Sequence, residues 1–318
     1  MTLTQLEYVL AIDRHRHFAT AAADCFVTQP TLSMQVQKLE EELDVKIFDR
    51  SKQPVVPTEP GLEIIAHARR IILERNKLLE SINEKKGFLN GELRIAIIPT
   101  LAPYLLPLFV NPFMKKYPGV KLVVHEMVTE LIISRLRDGR IDAGLLVTPL
   151  QETGISETVL FYEELMAYVA KKNSVYQKTY VLPQDIDPDK LWLLEEGHCF
   201  RAQIVNLCEL RKMGKESSNF DYEAGSIETL RRMVELNDGI TIIPQLATLD
   251  MPPRQLQLIR PFRAPAPMRE VSLVVHRDFV KKRLIDALRQ EILATIPVEV
   301  KNNKPRKVIP ISEELTSA

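Results

Sequence analysis

The stretch FATAAADCFVTQPTLSMQVQKLEEELDVKIFDR, residues 18–50, predicts two short helices joined by a tight turn. Its first part is rich in alanine. Its second part repeats aliphatic side chains at helical spacing from Leu32 to Leu43, which indicates one buried face. Pro30 falls in the first turn of the second helix, where proline costs least, and Thr28 is a suitable cap. The opposite face carries Gln, Thr and Ser, which can bond base edges or phosphates. This face indicates a contact with DNA, and a small helical interaction domain is the alternative.

The sequence on either side extends this unit. Residues 6–13 predict a helix before it, and VKIFDRSKQPVVPT, residues 45–58, alternates and contains two prolines, which predicts a small β-hairpin or wing. Residues 58–86 then show a helical pattern in which apolar side chains recur every seven residues. A helix of this length is too long for the first 57 residues to cover. We therefore expect a winged helix-turn-helix and a linker helix that pairs with a second copy of the chain.

The second half of the chain changes to the pattern of an α/β protein. Three strands alternate with two helical stretches between residues 93 and 146, which predicts a mostly parallel sheet with helices on its faces. A comparable alternation returns between residues 165 and 276, so we expect two lobes. The polar segment after Pro297 predicts a flexible tail or a surface strand. The expected fold class is α/β with an N-terminal winged helix-turn-helix, a long linker helix and a two-lobed effector domain. The predicted divisions are residues 1–57, 58–88, 89–297 and a tail at 298–318.

Composition narrows the classes of function. Lys plus Arg and Asp plus Glu both total 42 among 318 residues, so the overall charge implies neither a polyanionic partner nor an acidic substrate. Any nucleic-acid site must therefore be local. The N-terminus lacks a basic leader, and we find no run of about 18 apolar residues that could cross a bilayer. We expect a cytoplasmic chain without a membrane partner, in which three cysteines stay reduced and form no permanent disulfide framework.

Many fixed spacings in residues 18–61 resemble the N-terminal signature of LysR-type transcriptional regulators. The match includes the alanine-rich helix, TQPTLS and KLEEEL at the two ends of the next helix, the F-D-R that begins the wing, and Gly61. In that family the second helix enters the major groove of promoter DNA, and the effector region resembles periplasmic binding proteins. The resemblance implies a homodimer or homotetramer that regulates transcription, with RNA polymerase as a further partner. It also implies that DNA is contacted by Gln29, Thr31, Ser33, Gln37 and Arg50.

Two of the three cysteines lie nine residues apart in EEGHCFRAQIVNLC, residues 195–208. The stretch predicts a helix that begins near Cys199, where the positive end of the helix dipole, with His198 and Arg201 nearby, favours the thiolate. Cys208 belongs to the apolar face and should be buried. Nine residues of helix rise about 13.5 Å, whereas a disulfide needs Cα atoms within roughly 7 Å. A bond between these sulfurs therefore requires the helix to unwind, which turns a chemical event into a conformational one.

GHCFRAQIVNLC in the effector half resembles the redox segment of the peroxide-sensing LysR-type regulators, and that match extends to about residue 295. The resemblance implies that hydrogen peroxide oxidises Cys199, that Cys208 resolves the product as a disulfide, and that a cellular dithiol reductant resets the pair. Genes for defence against oxidative stress would be the targets. Such regulators hold peroxide in a pocket, and two threonines here follow predicted parallel strands, where open α/β sheets place ligands. The implied pocket residues are Thr100, Thr129, His198, Glu228 and, from the late strand, His276 or Arg277.

Other interpretations of the effector region stay open. The cysteines can be inert small hydrophobes, with a small metabolite bound between the lobes as the signal. A thiol peroxidase would use Cys199 in turnover, but that function leaves the N-terminal helices and the linker unexplained. A solute-binding protein conflicts with those helices and with the absence of a signal peptide. No cofactor or metal is expected, because the cysteine spacing is not that of a zinc site. We therefore expect a regulator and not an enzyme.

Overall fold

The structure is a computed structural model that describes residues 1–84, 89–195, 199–208 and 224–311. The chain divides into two compact units, Met1–Phe88 and Leu89–Ala318. The boundary falls at the end of the predicted linker helix, and the finer division into four parts stays a prediction. None of the helices in the described residues is long and apolar enough to span a bilayer.

The first unit consists of helices around one apolar core, with a short hairpin and one long helix. Leu32, Val36 and Leu39 are fully buried in this core, which confirms most of the inward face predicted from their spacing, whereas Leu43 at the end of that face is 38% exposed. The elements of this unit are α1 (Leu3–His15), α2 (Phe18–Asp24), α3 (Gln29–Leu43), β1 (Phe48–Asp49), β2 (Val56–Pro57) and α4 (Glu59–Glu84).

Local side-chain bonds fix the start of α3 and the entry into α4. The Thr28 hydroxyl accepts a hydrogen bond from the Thr31 amide, and Pro30 lies in the first turn of α3, as predicted. The antiparallel pairing of β1 with β2 confirms the predicted wing. Gly61 allows the first turn of α4 to approach the wing closely, because a Cβ atom there would lie 2.1 Å from the carbonyl oxygen of Ile47. Sequence signals within a few residues of one another were therefore enough to predict the start of α3 and the wing.

The second unit is a two-lobed α/β structure. Its helices and strands, apart from short 3₁₀ turns, are β3 (Gly91–Ile97), α5 (Ala102–Lys116), β4 (Val120–Glu126), α6 (Thr129–Arg137), β5 (Ala143–Thr148), β6 (Ile155–Val169), α7 (Cys199–Leu207), α8 (Ile227–Leu236), β7 (Ile240–Pro244), α9 (Pro253–Leu256), β8 (Ile259–Pro261), β9 (Pro267–His276), α10 (Lys282–Thr295), α11 (Val298–Lys301) and β10 (Lys307–Val308). Each lobe has its own apolar core. Strand β6 joins them, because its first part pairs with β9 and its last part pairs with β7 and β8.

The sheet combines parallel and antiparallel pairs of strands. Strands β4, β3 and β5 are parallel neighbours, whereas β9 runs antiparallel to both β5 and β6. The parallel arrangement predicted for residues 93–146 is therefore confirmed by β3, β4 and β5, whereas the later strands β6, β7 and β8 form antiparallel pairs. Strand β9 comes after the elements of the second lobe and is not joined to β5 by a simple βαβ crossover. The alternation of helices and strands in the sequence therefore did not fix the direction of β9.

The C-terminal part of the chain returns to the sheet. Strand β10 pairs in parallel with β9, which confirms the predicted surface strand. Ile309, which follows it, is buried in the core of the second lobe, and Val300 in α11 is buried in that of the first. The alternative of a flexible tail was therefore wrong for the described residues up to 311.

Candidate DNA-binding face and redox site

The outer face of α3 carries the polar side chains predicted to contact DNA. Gln29 and Gln37 are exposed, and Thr31 and Ser33 are partly covered. The Gln37 side-chain amide donates to the Glu41 carboxylate at 2.9 Å, which holds it along the helix surface. The structure thus places four of the five predicted contacts on α3, none of them fully buried, and their role in binding DNA stays a prediction.

Arg50 joins the wing to this helix. Its guanidinium donates hydrogen bonds of 3.1 Å to the Ser33 hydroxyl and 3.1 Å to the Glu40 carboxylate. It also lies 4.9 Å from the centre of the Phe18 ring. The Arg50 side chain is still 38% exposed, so part of the guanidinium is available to a phosphate group. The wing and α3 therefore present one continuous polar surface.

Glu40 was not predicted from the sequence, and its buried side chain holds the wing and Arg50 in place. Its carboxylate is buried and accepts hydrogen bonds from the backbone amides of Ile47 at 2.8 Å and Phe48 at 3.3 Å, in addition to Arg50. The available signal was its position beside Leu39 on the inward face, where a carboxylate is tolerated only with partners. Glu40 therefore fixes the path of the chain from α3 into the wing.

Replacing Glu40 with alanine should loosen the wing and lower DNA affinity. The substitution leaves the buried amides of Ile47 and Phe48 unpaired and frees Arg50, so we expect the free energy of unfolding to fall by about 2–4 kcal/mol. Chemical denaturation checks this value. Glu63→Ala is the control, because Glu63 is an exposed helical carboxylate in the same unit. Equal stability of the Glu40→Ala and Glu63→Ala proteins would contradict the supporting role of Glu40.

Cys199 is the first residue of α7 and lies where the two lobes meet. It packs with the core of the first lobe, whereas its neighbour Phe200 packs with the core of the second. The predicted helix is confirmed over Cys199–Leu207. The Cys199 thiol is buried, and it is not bonded to Cys208. A change at this position can therefore affect both lobes.

Burial raises the pKa of the Cys199 thiol above its ordinary value. The Thr129 hydroxyl and the positive charge of Arg269 act in the opposite direction, and the Glu130 carboxylate adds to the rise. The helix start does act to lower the pKa of this thiol through the Phe200 amide, as expected, but the loss of water on burial outweighs it together with the nearby positive charge. His198, part of the same expectation, lies outside the described residues.

Thr129 has an unused hydroxyl beside this thiol. The hydroxyl is close enough to the Cys199 sulfur to lower its pKa, yet it is buried and makes no hydrogen bond of standard geometry within the described part of the chain. Thr129 is the first residue of α6, where the strand-to-helix turn directs its side chain inward. A buried polar group without a partner is costly, so a small hydrogen-bonding molecule would find a ready partner there.

Thr100 and a buried arginine form the other side of the site. The Arg269 guanidinium donates to the Thr100 hydroxyl at 3.0 Å and to the Thr100 carbonyl oxygen at 3.1 Å. Its charge is balanced by Glu163, which accepts from Nε at 2.6 Å and also from the Leu246 amide at 3.1 Å. Arg269 and Glu163 are both fully buried, and the guanidinium lies 5.2 Å from the centre of the Phe200 ring. The site therefore contains the positive charge of Arg269, and the Glu163 carboxylate balances that charge within the protein.

Arg269 takes the position for which His276 and Arg277 were predicted, and that assignment is corrected. Strand β9 is antiparallel to β5, and Glu270 near its start pairs with Thr148 at the carboxyl end of β5. Its start therefore lies at the sheet edge where Thr100 also follows a strand. His276 ends β9 away from that edge, and Arg277 is 71% exposed. The resemblance had implied a basic residue at the end of the late strand, whereas the structure places a buried one near its start.

Glu228 lies in a different cavity. It accepts a hydrogen bond from the Tyr104 hydroxyl at 2.8 Å and pairs with Arg231 at 2.7 Å. Together with Gln255 these side chains line a cavity of about 310 Å³, whose described lining includes neither Cys199 nor the two threonines. Burial and the Glu228 carboxylate raise the pKa of Tyr104. The structure thus does not bring Glu228 to the thiol, and its predicted role in the peroxide pocket stays untested.

Cys208 lies just beyond the last residue of α7. Its backbone amide donates to the Ile204 carbonyl at 3.0 Å, so helical bonding continues to this residue. The side chain packs against the core of the second lobe and is partly buried, and this burial raises its pKa to about 12. A helical path from Cys199 to Cys208 rises about 13.5 Å, beyond the roughly 7 Å that a disulfide allows between Cα atoms. The two thiols cannot bond while α7 is intact.

Two family models match this chain. The model described as bacterial regulatory helix-turn-helix protein, lysR family, matches residues 3–62, and that of the LysR substrate binding domain matches residues 86–297. The chain therefore belongs to the LysR family of DNA-binding transcriptional regulators, a family of regulators and not of enzymes.

Relatives within that family carry names that concern hydrogen peroxide. The hydrogen peroxide-inducible genes activator of Dickeya chrysanthemi is 34% identical over 274 residues, which cover 86% of this chain and 89% of that protein. The DNA-binding transcriptional dual regulator OxyR of Escherichia coli K12 is also 34% identical, with the same coverage. The solved structure of full-length OxyR from Pseudomonas aeruginosa, in a cysteine-to-aspartate variant, matches with a TM-score of 0.77 and 31% identity. That match covers 93% of this chain and 99% of the other.

Proposed function

We propose that this LysR-type regulator senses hydrogen peroxide through reversible disulfide formation between Cys199 and Cys208. The observation that carries the proposal is the placement of two free thiols at the two ends of one helix, with the first among hydroxyl and guanidinium groups. Thr100, Thr129 and Arg269 supply those groups. The names of the relatives from Dickeya chrysanthemi and Escherichia coli support the same signal.

The chemistry uses one peroxide molecule for each disulfide. The Cys199 thiolate attacks one peroxide oxygen, the O–O bond breaks, and the departing hydroxide takes up a proton to become water, which leaves a sulfenic acid on Cys199. The Cys208 sulfur then attacks the Cys199 sulfur, and a second water leaves as the disulfide forms. The Thr129 hydroxyl can bond the peroxide, and the positive charge of Arg269 favours the thiolate. A cellular dithiol returns both electrons and both protons and restores the thiols.

The regulatory output follows from the conformational change that this bond requires. Unwinding of α7 repacks side chains of both lobes, and we propose that this change alters how a homodimer or homotetramer engages promoter DNA and RNA polymerase. The regulated genes would serve defence against peroxide. Pairing of copies through α4 is supported by its exposed leucines, since Leu62 is 57% and Leu78 is 62% exposed.

Mass spectrometry of the peroxide-treated protein tests the proposal. After proteolysis without reduction we expect a peptide pair linked through Cys199 and Cys208, and we expect dithiothreitol to remove the link. Untreated protein is the control for oxidation by air, and Cys25 should stay unmodified in the same sample. If the two thiols stay reduced at peroxide concentrations that oxidise other thiol sensors, the sensing function is wrong.

A further inference from the structure

Residues 303–311, which we call the C-terminal strap, lie against the strand that carries Arg269. The β10 part of the strap pairs with the start of β9, and the Ile309 amide donates to the Met268 carbonyl at 2.8 Å. Arg269 is the next residue along β9. The family model of the effector region ends at residue 297, so the strap lies outside the part that this model covers.

The strap also bonds to α7, the helix between the two thiols. The Gln203 side chain is fully buried, and its amide donates to the Ile309 carbonyl oxygen at 2.6 Å. One turn further along, the Asn206 amide donates to the Pro310 carbonyl oxygen at 3.2 Å. Both donors lie within the segment that must unwind before Cys199 and Cys208 can bond.

Other contacts fix the strap to both lobes. At its start, the Asn303 amide donates to the Tyr162 carbonyl at 3.0 Å and to the Gln245 side chain at 2.9 Å. Near its end, Ile309 is buried in the core of the second lobe and Ile311 packs against the core of the first. Because the strap is anchored at both ends, it offers α7 a fixed set of acceptors instead of a mobile surface.

We propose that the C-terminal strap holds α7 in its helical form and thereby sets how readily the Cys199–Cys208 disulfide forms. The inference rests on the proposed redox function. The bonds from Gln203 and Asn206 to the strap exist while α7 is helical and break when it unwinds, so they stabilise only the reduced form. By linkage, whatever weakens the strap shifts the thiol–disulfide equilibrium toward the disulfide.

An equilibrium titration of the full-length protein in dithiothreitol buffers tests the strap. Oxidised dithiothreitol accepts two electrons and two protons from the cysteine pair, so the ratio of oxidised to reduced dithiothreitol sets the redox potential of the buffer. Ile309→Ala loosens the strap without altering α7, and Gln203→Ala removes its shortest bond to the helix. For each variant we expect the disulfide to be favoured about tenfold more than in the unaltered chain, the equivalent of about 30 mV. Lys304→Ala, at an exposed strap position, should change nothing.

The outcomes separate the strap from the redox function. If the unaltered chain forms the disulfide and both variants form it at the same ratio of oxidised to reduced dithiothreitol, the strap has no control over α7 and the inference is overturned. If the unaltered chain forms no disulfide at any redox potential of the buffer, the redox function fails and the strap proposal fails with it. Circular dichroism of each reduced variant verifies folding; a shift toward the disulfide in either folded variant supports the strap, and a shift toward the dithiol overturns it.

Discussion

Peroxide should produce no disulfide and no change in promoter activity in a chain that carries Cys199→Ser. Serine has nearly the same size and leaves the contacts of Phe200 and α7 in place, but its hydroxyl is not a nucleophile toward peroxide near neutral pH. The variant should therefore fold, bind DNA and hold the reduced conformation at every peroxide concentration. Reporter activity at a target promoter, with and without peroxide, measures the effect, and we expect the induced part to fall to background.

The rate of oxidation should depend steeply on pH in the unaltered site. Burial raises the pKa of Cys199, so the reactive thiolate is the minor form near neutrality and its fraction rises about tenfold for each pH unit below that pKa. The rate should rise with pH accordingly. Cys208→Ser is the background for this measurement, because oxidation then stops at the sulfenic acid, which a dimedone probe can trap.

Cys25→Ser is the matched control for both measurements. Cys25 is a half-buried thiol in the first unit, and burial also raises its pKa. It is therefore a thiol like Cys199 but lies outside the redox site. The control should respond to peroxide normally. If the Cys199→Ser chain instead regulated its promoters as the unaltered chain does, a metabolite bound between the lobes would be the better account of the signal.

The parts of the fold that were predictable from sequence are those set by local patterns. The inward face of α3, its cap at Thr28 and the wing all depend on residues within a few positions of one another, and all were confirmed. The start of α7 at Cys199 was predicted for the same reason. Helical spacing and capping report which face of an element is buried, and they need no knowledge of the rest of the fold.

The candidate site depends on contacts that sequence spacing does not encode. Arg269 meets Thr100 across 169 residues, and Gln203 meets Ile309 across 106. Both pairs depend on β9 running antiparallel to β5 and on the last strand returning to it. Sequence patterns locate strands but not their direction, and the resemblance implied a basic residue at the end of β9, whereas Arg269 lies near its start. The threonines were found because their position depends only on the strand that precedes each.

Arg269→Ala should destabilise the effector region more than any other single substitution considered for the site. The guanidinium and the Glu163 carboxylate are both fully buried, and removal of one leaves the other charged without a partner. Breaking such a pair by deleting one member costs about 3–5 kcal/mol. The Thr100 hydroxyl and carbonyl lose their donor as well. Chemical denaturation should show this loss, and Arg269→Met, which keeps most of the side-chain volume, should show it as well.

Removing both charges separates the ion pair from the other roles of Arg269. The double variant Arg269→Met with Glu163→Gln leaves no buried charge and should recover more than half of the stability lost in Arg269→Met, since uncharged side chains of similar volume replace buried pairs at little cost. Oxidation of Cys199 by peroxide should nevertheless be slower in the double variant than in the unaltered chain, because the positive charge that lowers the thiol pKa is gone. Stability restored together with the full oxidation rate would show that Arg269 serves the fold alone. Stability that stays low would show that the bonds to Thr100, and not the balance of charge with Glu163, hold this part of the site together.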